Sequence, residues 1–265
     1  SISKVKELNL KRIGGCLLVD GSISTLTAAL SEPYVGTENY GVLYWDLDSL
    51  INFIKTAHKE DFQIAFHAVG DRGIELILRA YKKVLKEYPK EDHRHRIEHF
   101  ELPTQEHIRL ASELKLNLSL QPSFLYFWGG EGKLYEELLG KERAKKIIPL
   151  RSILKNKIIA GGGSDSSVTP INPLLGIYSA LSHPNVEERV SLLEALRMFT
   201  YNSAYIGFLE KEKGSIEKNK DADLIVLEKD IFSIRAPEEI LNISIIATIS
   251  KGNFVYKKLT LSFDF

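Results

Sequence analysis

The chain has 265 residues, 44% apolar and 26% charged, an ordinary globular composition long enough to bury a core as one large domain or two modest ones. Lys plus Arg and Asp plus Glu number 35 each, which argues against a general nucleic-acid binder, whose affinity rests on neutralising phosphates. A single cysteine excludes an internal disulfide framework, no apolar run reaches the ~18 residues of a membrane span, and no signal-peptide pattern opens the chain, so a cytoplasmic protein away from membranes is expected.

In chain order, short apolar runs alternate with helical patterns. The runs cover residues 16–19, 63–67, Arg96–His99, 116–120 and 157–160, each a few residues long and rich in Ile, Leu or Val, as in strands buried on both faces. Between them, 74–88 places Ile74, Ile77, Leu78, Tyr81 and Leu85 at helical spacing, with Asp71 as its N-cap. Residues 105–114 and 134–147 also read as helices, with His107 inside the first. His58 ends an earlier helix, and both histidines are assigned to the surface. Strands alternating with helices imply an α/β fold with a parallel sheet.

The tail differs. Residues 191–205 read as a helix with Leu192, Ala195, Leu196 and Phe199 on one face. Leu224–Leu227 then reads as a strand, and 243–257 as two short strands joined by a tight turn at Gly252-Asn253. Too few strands are present for a sheet domain of their own, so the tail is expected to be a small β appendage.

Three polar residues fall at the C-terminal ends of strands: His67, His99 and, after a run of glycines, Asp165. In a parallel barrel those ends form the active-site face. Two imidazoles and a carboxylate there suit a divalent metal, zinc first, and Cys16 can add a thiolate. Each residue has a plainer alternative. His67 and His99 can be satisfied buried histidines, Asp165 a helix cap or turn residue, and Cys16 a small buried apolar side chain. His93 and His95 spell H-x-H but precede a strand, and are assigned to a loop; His183, before Pro184, is assigned to a turn and not to a metal.

The ordered blocks resemble a known family. Asp20-Gly21-Ser22 with Thr27-Ala28-Ala29-Leu30, Phe66 to Arg72 (F-H-A-V-G-D-R), His95 to His99 (H-R-I-E-H), Ser119 to Pro122 (S-L-Q-P), Gly163-Ser164-Asp165, and the segment from Glu194 to Leu224 follow one another as in the amidohydrolase superfamily. Within it they are similar to amidohydrolase family 3, the YtcJ-like metal-dependent hydrolases. The resemblance implies a (β/α)8 barrel of the TIM type with a small β domain. Here it would be the C-terminal part of the barrel, from about strand four, in residues 1–207, with a β segment in 208–265. It also implies a metal held by His67 and His99, with Asp165 orienting and deprotonating the attacking water. Arg72, Asp20, Tyr126 and Trp128 are candidates for binding substrate; Arg72 can equally pair with a carboxylate, Asp20 cap a turn, and the aromatics simply pack.

Two departures stand out. No H-x-H precedes strand four, although the family carries one on its first strand. Cys16 stands where this branch usually has a metal-bridging lysine, which excludes a carboxylated-lysine bridge and leaves a single site of Cys16, His67, His99 and Asp165. Since Ser1 opens the chain and Met198 is its one methionine, a fragment or partial product is expected, one that associates with itself or with an N-terminal segment to cover an open half-barrel. The expected function is metal-dependent hydrolysis of C–N bonds in a small amide, N-acyl or cyclic amide substrate. The alternatives are an incomplete homologue that binds metal or a partner without turnover, and an α/β domain without metal.

Overall fold

The computed structural model describes residues 2–258, apart from the side chain of Cys16; Ser1 and 259–265, the end of the expected 208–265 segment, lie outside the described residues. A short helix α1 (Ile2–Glu7) precedes β1 (Arg12–Leu18). Then come α2 (Leu47–Lys59), β2 (Gln63–Ala68), α3 (Asp71–Glu87), β3 (Arg96–His99), α4 (Gln105–Glu113) and β4 (Asn117–Leu120). Four shorter helices, α5 (Ser123–Trp128), α6 (Leu134–Leu139), α7 (Lys141–Ala144) and α8 (Leu150–Lys155), lead to β5 (Ala160–Gly162). The five strands are all parallel and lie in the order β1-β2-β3-β4-β5. Each strand pairs with its neighbour in sequence, the topology of a barrel segment rather than of a doubly wound sheet. The α/β, partial TIM-barrel fold expected from the sequence is therefore present.

Local chemistry explains these elements. Asp46 caps α2 by accepting from the Ser49 N–H at 2.9 Å. On α3, Ile74, Ile77, Leu78, Tyr81 and Val84 are buried at three- and four-residue spacing, a stripe that seats the helix on the sheet. β2 is buried along its length except at His67, which accounts for its unbroken apolar run.

Several expectations need correction. Asp71 does not cap α3: Gly70 occupies the cap position, and the Asp71 carboxylate accepts instead from the Ser31 N–H (2.9 Å) and hydroxyl. β1 begins four residues before the expected 16–19, because Gly14 and Gly15 (φ 104° and 110°) form a bulge that carries no apolar signal. The expected helix 134–147 breaks at Gly140 (φ 79°). β5 shares only Ala160 with the expected 157–160, since Lys157 is left-handed (φ 59°) and the strand is mostly glycine. A Cβ on Gly162 would meet the Phe199 ring at 2.6 Å, so the strand lacks side chains where a tail helix crosses it.

After β5 come α9 (Pro173–Leu181), α10 (Leu192–Arg197) and α11 (Ser203–Ile206), the last two joined through a wider π-type turn over Met198–Asn202. Together they form the continuous tail helix expected over 191–205, opened by a Ser191–Glu194 capping box. β6 (Leu224–Leu227), β7 (Ile245–Ser250) and β8 (Asn253–Lys257) make a three-stranded antiparallel sheet. Its hairpin turns at Lys251-Gly252 (φ 48° and 80°), one residue before the expected Gly252-Asn253, because Asn253 already pairs with Ser250. Among the described residues, no helix is long and apolar enough to cross a membrane.

Candidate metal centre

The C-terminal ends of β2, β3 and β5 open on one cavity of about 280 Å³. His67, His99, Glu101 and Asp165 line it together with Phe124, Trp128, Tyr135 and the Ser22–Thr25 loop. Among the described residues, no Lys or Arg lines it. The sequence-predicted His67, His99, Asp165 and Trp128 are thus brought together.

His67 sits near the end of β2, and its Nε2 bonds the Gly21 carbonyl at 2.9 Å. A carbonyl can only accept, so Nε2 carries the proton and Nδ1 keeps a free lone pair. This is the arrangement of a metal-ligating imidazole whose other nitrogen is held by the protein. His99 closes β3 in a left-handed conformation (φ 74°) and stacks over Phe124 with ring centroids 6.2 Å apart. Among the described residues its buried Nδ1 makes no well-formed hydrogen bond, nor does Oε1 of Gln121, the neighbouring side chain that raises its pKa slightly. The two imidazoles lie with ring centroids 4.4 Å apart, edge to face. Burial holds both neutral: the His67 pKa is lowered, and that of His99 falls to about 3, with the neighbouring His67 adding to the effect.

Two neutral imidazoles, one with a free lone pair and one with an orphaned nitrogen, fit a divalent ion as two of its ligands. Asp165 (φ 52°) shares the cavity from the loop after β5 and raises the His67 pKa slightly by its charge. Among the described residues, however, no three His, Cys, Asp or Glu side chains converge to hold an ion by themselves. The expected four-ligand site is therefore not assembled by them. The Cys16 side chain, its fourth member, is outside the described residues.

The remaining sequence candidates fall elsewhere. Asp20 is fully buried and cannot touch substrate; its carboxylate accepts from the N–H groups of Ala29 (2.9 Å), Val69 (2.9 Å) and Gly70 (2.8 Å). It ties the loop after β1 to the loop after β2. Burial raises its pKa to about 7 against those three bonds. Arg72 is exposed on the first turn of α3, off the cavity. Tyr126 is 42% exposed and packs against Phe127 and Tyr178 instead of lining the cavity. Trp128 does line it, edge-on to Phe124 at 4.8 Å, from the last position of α5.

Glu101 was missed by the sequence reading. It is buried, two residues past His99, and one carboxyl oxygen accepts from the Tyr135 hydroxyl at 2.8 Å. Burial raises its pKa to about 7, and the charges of Asp20 and Asp165 push the same way. The available signal was its place in His99-Phe100-Glu101, at a strand end.

At the opposite end of the sheet the histidines form a closed network. His93 Nδ1 accepts from the His95 N–H (2.9 Å), so its Nε2 donates to the Leu114 carbonyl (3.0 Å). His95 Nδ1 accepts from the Ile64 N–H (3.1 Å), so its Nε2 donates to His58 Nδ1 (2.8 Å). His58 Nε2 in turn donates to the Tyr88 carbonyl (2.9 Å). Every tautomer is thereby set. His93 and His95 lie in the expected loop but are buried, and His58 and His107 are not at the surface. His107 closes the capping box of α4 with Thr104. His183 is buried too, against the Ile147 and Ile148 carbonyls.

The sequence matches the Amidohydrolase family over residues 8–256. This chain belongs to the amidohydrolase family. It is 33% identical to YtcJ of Bacillus subtilis (strain 168) over 254 residues, 91% of this chain and 46% of that protein. It is 25% identical to the N-substituted formamide deformylase of Arthrobacter pascens over 255 residues, 92% of this chain and 46% of that protein. A crystal structure described as an uncharacterized metal-dependent hydrolase from Pyrococcus furiosus is 31% identical and superposes with a TM-score of 0.70, over 83% of this chain and 47% of that one. This amidohydrolase chain thus spans about half the length of the relatives it matches.

Proposed function

We propose that this chain carries two metal ligands and the proton-transfer carboxylate of a hydrolase that cleaves C–N bonds in small amide, N-acyl or cyclic amide compounds. The observation behind this is the pair of neutral imidazoles, His67 and His99, 4.4 Å apart at the strand ends with Asp165 on the same cavity. The deformylase among the relatives favours a C–N bond over an ester. His67 and His99 would hold a divalent ion, zinc suiting imidazole ligands. Such an ion, when bound, supplies Lewis-acid polarisation of a carbonyl and of water. Asp165 accepts the proton of the attacking water and returns it to the leaving nitrogen as the C–N bond breaks. Phe124 and Trp128 wall the cavity and exclude water from the reacting bond.

A second reading is favoured by the lack of a third converging ligand among the described residues: this chain binds metal but turns nothing over until another polypeptide segment or a second copy adds ligands. Zinc titration combined with an amide, formamide and cyclic amide panel separates the two. Under the first reading, Asp165→Asn lowers turnover by ~10²–10⁴-fold and leaves zinc affinity within a few-fold. An unchanged rate would remove Asp165 from the reaction. Zinc bound with no hydrolysis by the parent chain would favour the second reading.

A further inference from the structure

The cavity holds a charge problem that the proposed reaction does not use. Glu101 is only 4% exposed and lines the cavity. Its Oε2 is taken by the Tyr135 hydroxyl, and among the described residues no donor is found on Oε1. Its charged neighbours are Asp20 and Asp165, both repulsive, and among the described residues no Lys or Arg lines the cavity. A buried carboxyl without a counter-cation either keeps its proton or, when ionised, is stabilised by a hydrogen-bond donor from outside the chain. Ile23, Val69, Phe124, Trp128 and Val168 form its apolar walls, which suit an apolar body, with the Ser22, Ser24 and Thr25 hydroxyls at one side. At about 280 Å³ the space falls just under the ~300–1,000 Å³ usual for small-molecule sites.

We propose that Glu101, oriented by Tyr135, recognises the nitrogen end of a small apolar ligand, accepting a hydrogen bond from its N–H or ammonium group. The Tyr135 hydroxyl fixes one carboxyl oxygen and so aims the other at the cavity. The substrate class narrows accordingly, to compounds with an N–H or amine beside a short alkyl or aryl group, against N,N-disubstituted amides and against acids. Recognition of this kind is discriminating, since a ligand without the donor leaves a buried carboxyl unpaired. The assignment rests on the cavity being the hydrolytic site, but the binding step needs no metal and no turnover.

The test uses the whole chain in EDTA at pH 8, with n-butylammonium, n-butanol and butyrate as probes, followed by ligand-observed NMR and calorimetry. The expected result is n-butylammonium binding at least tenfold tighter than n-butanol, with butyrate not binding. Glu101→Gln should weaken n-butylammonium at least tenfold and leave n-butanol unchanged, whereas Arg72→Ala, off the cavity, should change both less than twofold. Equal binding of the amine and the alcohol would overturn the assignment, and so would loss of amine preference in Asp165→Asn but not in Glu101→Gln. Should Glu101→Gln fail to fold, Tyr135→Phe serves instead. It leaves the charge in place but frees its orientation, and should weaken the amine by a few-fold without touching the alcohol; an unchanged amine affinity would count against the proposal. Amine selectivity in a chain that binds no zinc would refute the hydrolase reading alone, and zinc binding without amine selectivity would refute this one alone.

Discussion

The two ends of the parallel sheet treat the same side chain in opposite ways. At the N-terminal end of β2 and β3, His58, His93 and His95 spend every ring nitrogen on a partner inside the chain. At the C-terminal end, His67 keeps a lone pair, His99 leaves Nδ1 orphaned, and Glu101 leaves an oxygen free. Burial and neutrality are common to both sets, so neither property marks the functional residues. What separates them is satisfaction of hydrogen bonds. Buried polar groups are normally paired; of the three unpaired atoms among the described residues, His99 Nδ1 and Gln121 Oε1 lie at the C-terminal strand ends, and Ser182 Oγ follows α9.

The largest expected effect tests that division directly. His95→Ala strips the Ile64 N–H and His58 Nδ1 of their partners and opens a void beside the stacked Tyr81 ring. It should cost about 3 kcal/mol or more in urea unfolding, with zinc affinity unchanged in the folded fraction. His67→Ala should do the reverse, costing about 1 kcal/mol for one lost hydrogen bond while lowering zinc affinity at least ~10-fold. Equal stability losses with unaltered zinc binding would dissolve the distinction between the two ends.

A smaller effect appears in the pH dependence. Burial lowers the pKa of His58, of His93 to about 4, and of His95 well below its usual value. Below an ordinary pKa of ~6.5 the unfolded chain binds protons that the folded one refuses, so their contribution is complete above that pH and declines as pH falls, by up to ~1.4 kcal/mol per pH unit for each histidine. Asp20 and Glu101, raised to about 7, act in the opposite sense: the folded state holds their protons, and their contribution is lost as pH rises through 7. The other four histidines are lowered as well, so the histidines outweigh the two carboxyls. The urea midpoint should fall steadily from pH 6.5 to 4.5, and His95→Gln, which cannot titrate, should flatten that fall by about one proton's worth. A midpoint that holds or rises on acidification would show that the network is not neutral in the native state.

Much of this was legible in the sequence, and the limits have physical causes. The strands carrying His67 and His99 announce themselves because both their faces are buried, and a strand end is a position the apolar run itself marks. β5 does not, because its glycines make room for Phe199 and leave no side chains to read. The motif residues also divide by partner in a way that spelling cannot show. Asp20 and His67 belong to neighbouring blocks, yet Asp20 is consumed by three backbone N–H groups while His67 faces the cavity. Glu101 escaped because a carboxylate after a strand is ordinarily a loop residue; its significance lies in Tyr135, thirty-four positions away, and in a cavity lined, among the described residues, by no Lys or Arg.

Arg72 is where the smallest effect is expected. It sits in the same block as His67, and its charge would suit an anionic substrate. Its side chain is exposed at the start of α3, and the contact it makes with the loop after β1 is its backbone N–H to the Ala29 carbonyl at 3.0 Å, which any residue retains. Arg72→Ala should therefore shift stability by less than about 0.5 kcal/mol. Zinc affinity and n-butylammonium affinity should both stay within twofold of the parent chain. A tenfold loss of either would mean that the functional rim reaches beyond the cavity walls to the first turn of α3, and that the orphaned nitrogens and the free oxygen mark only part of it. An unchanged chain would leave hydrogen-bond satisfaction, rather than membership of a sequence block, as the property that picks out the working residues.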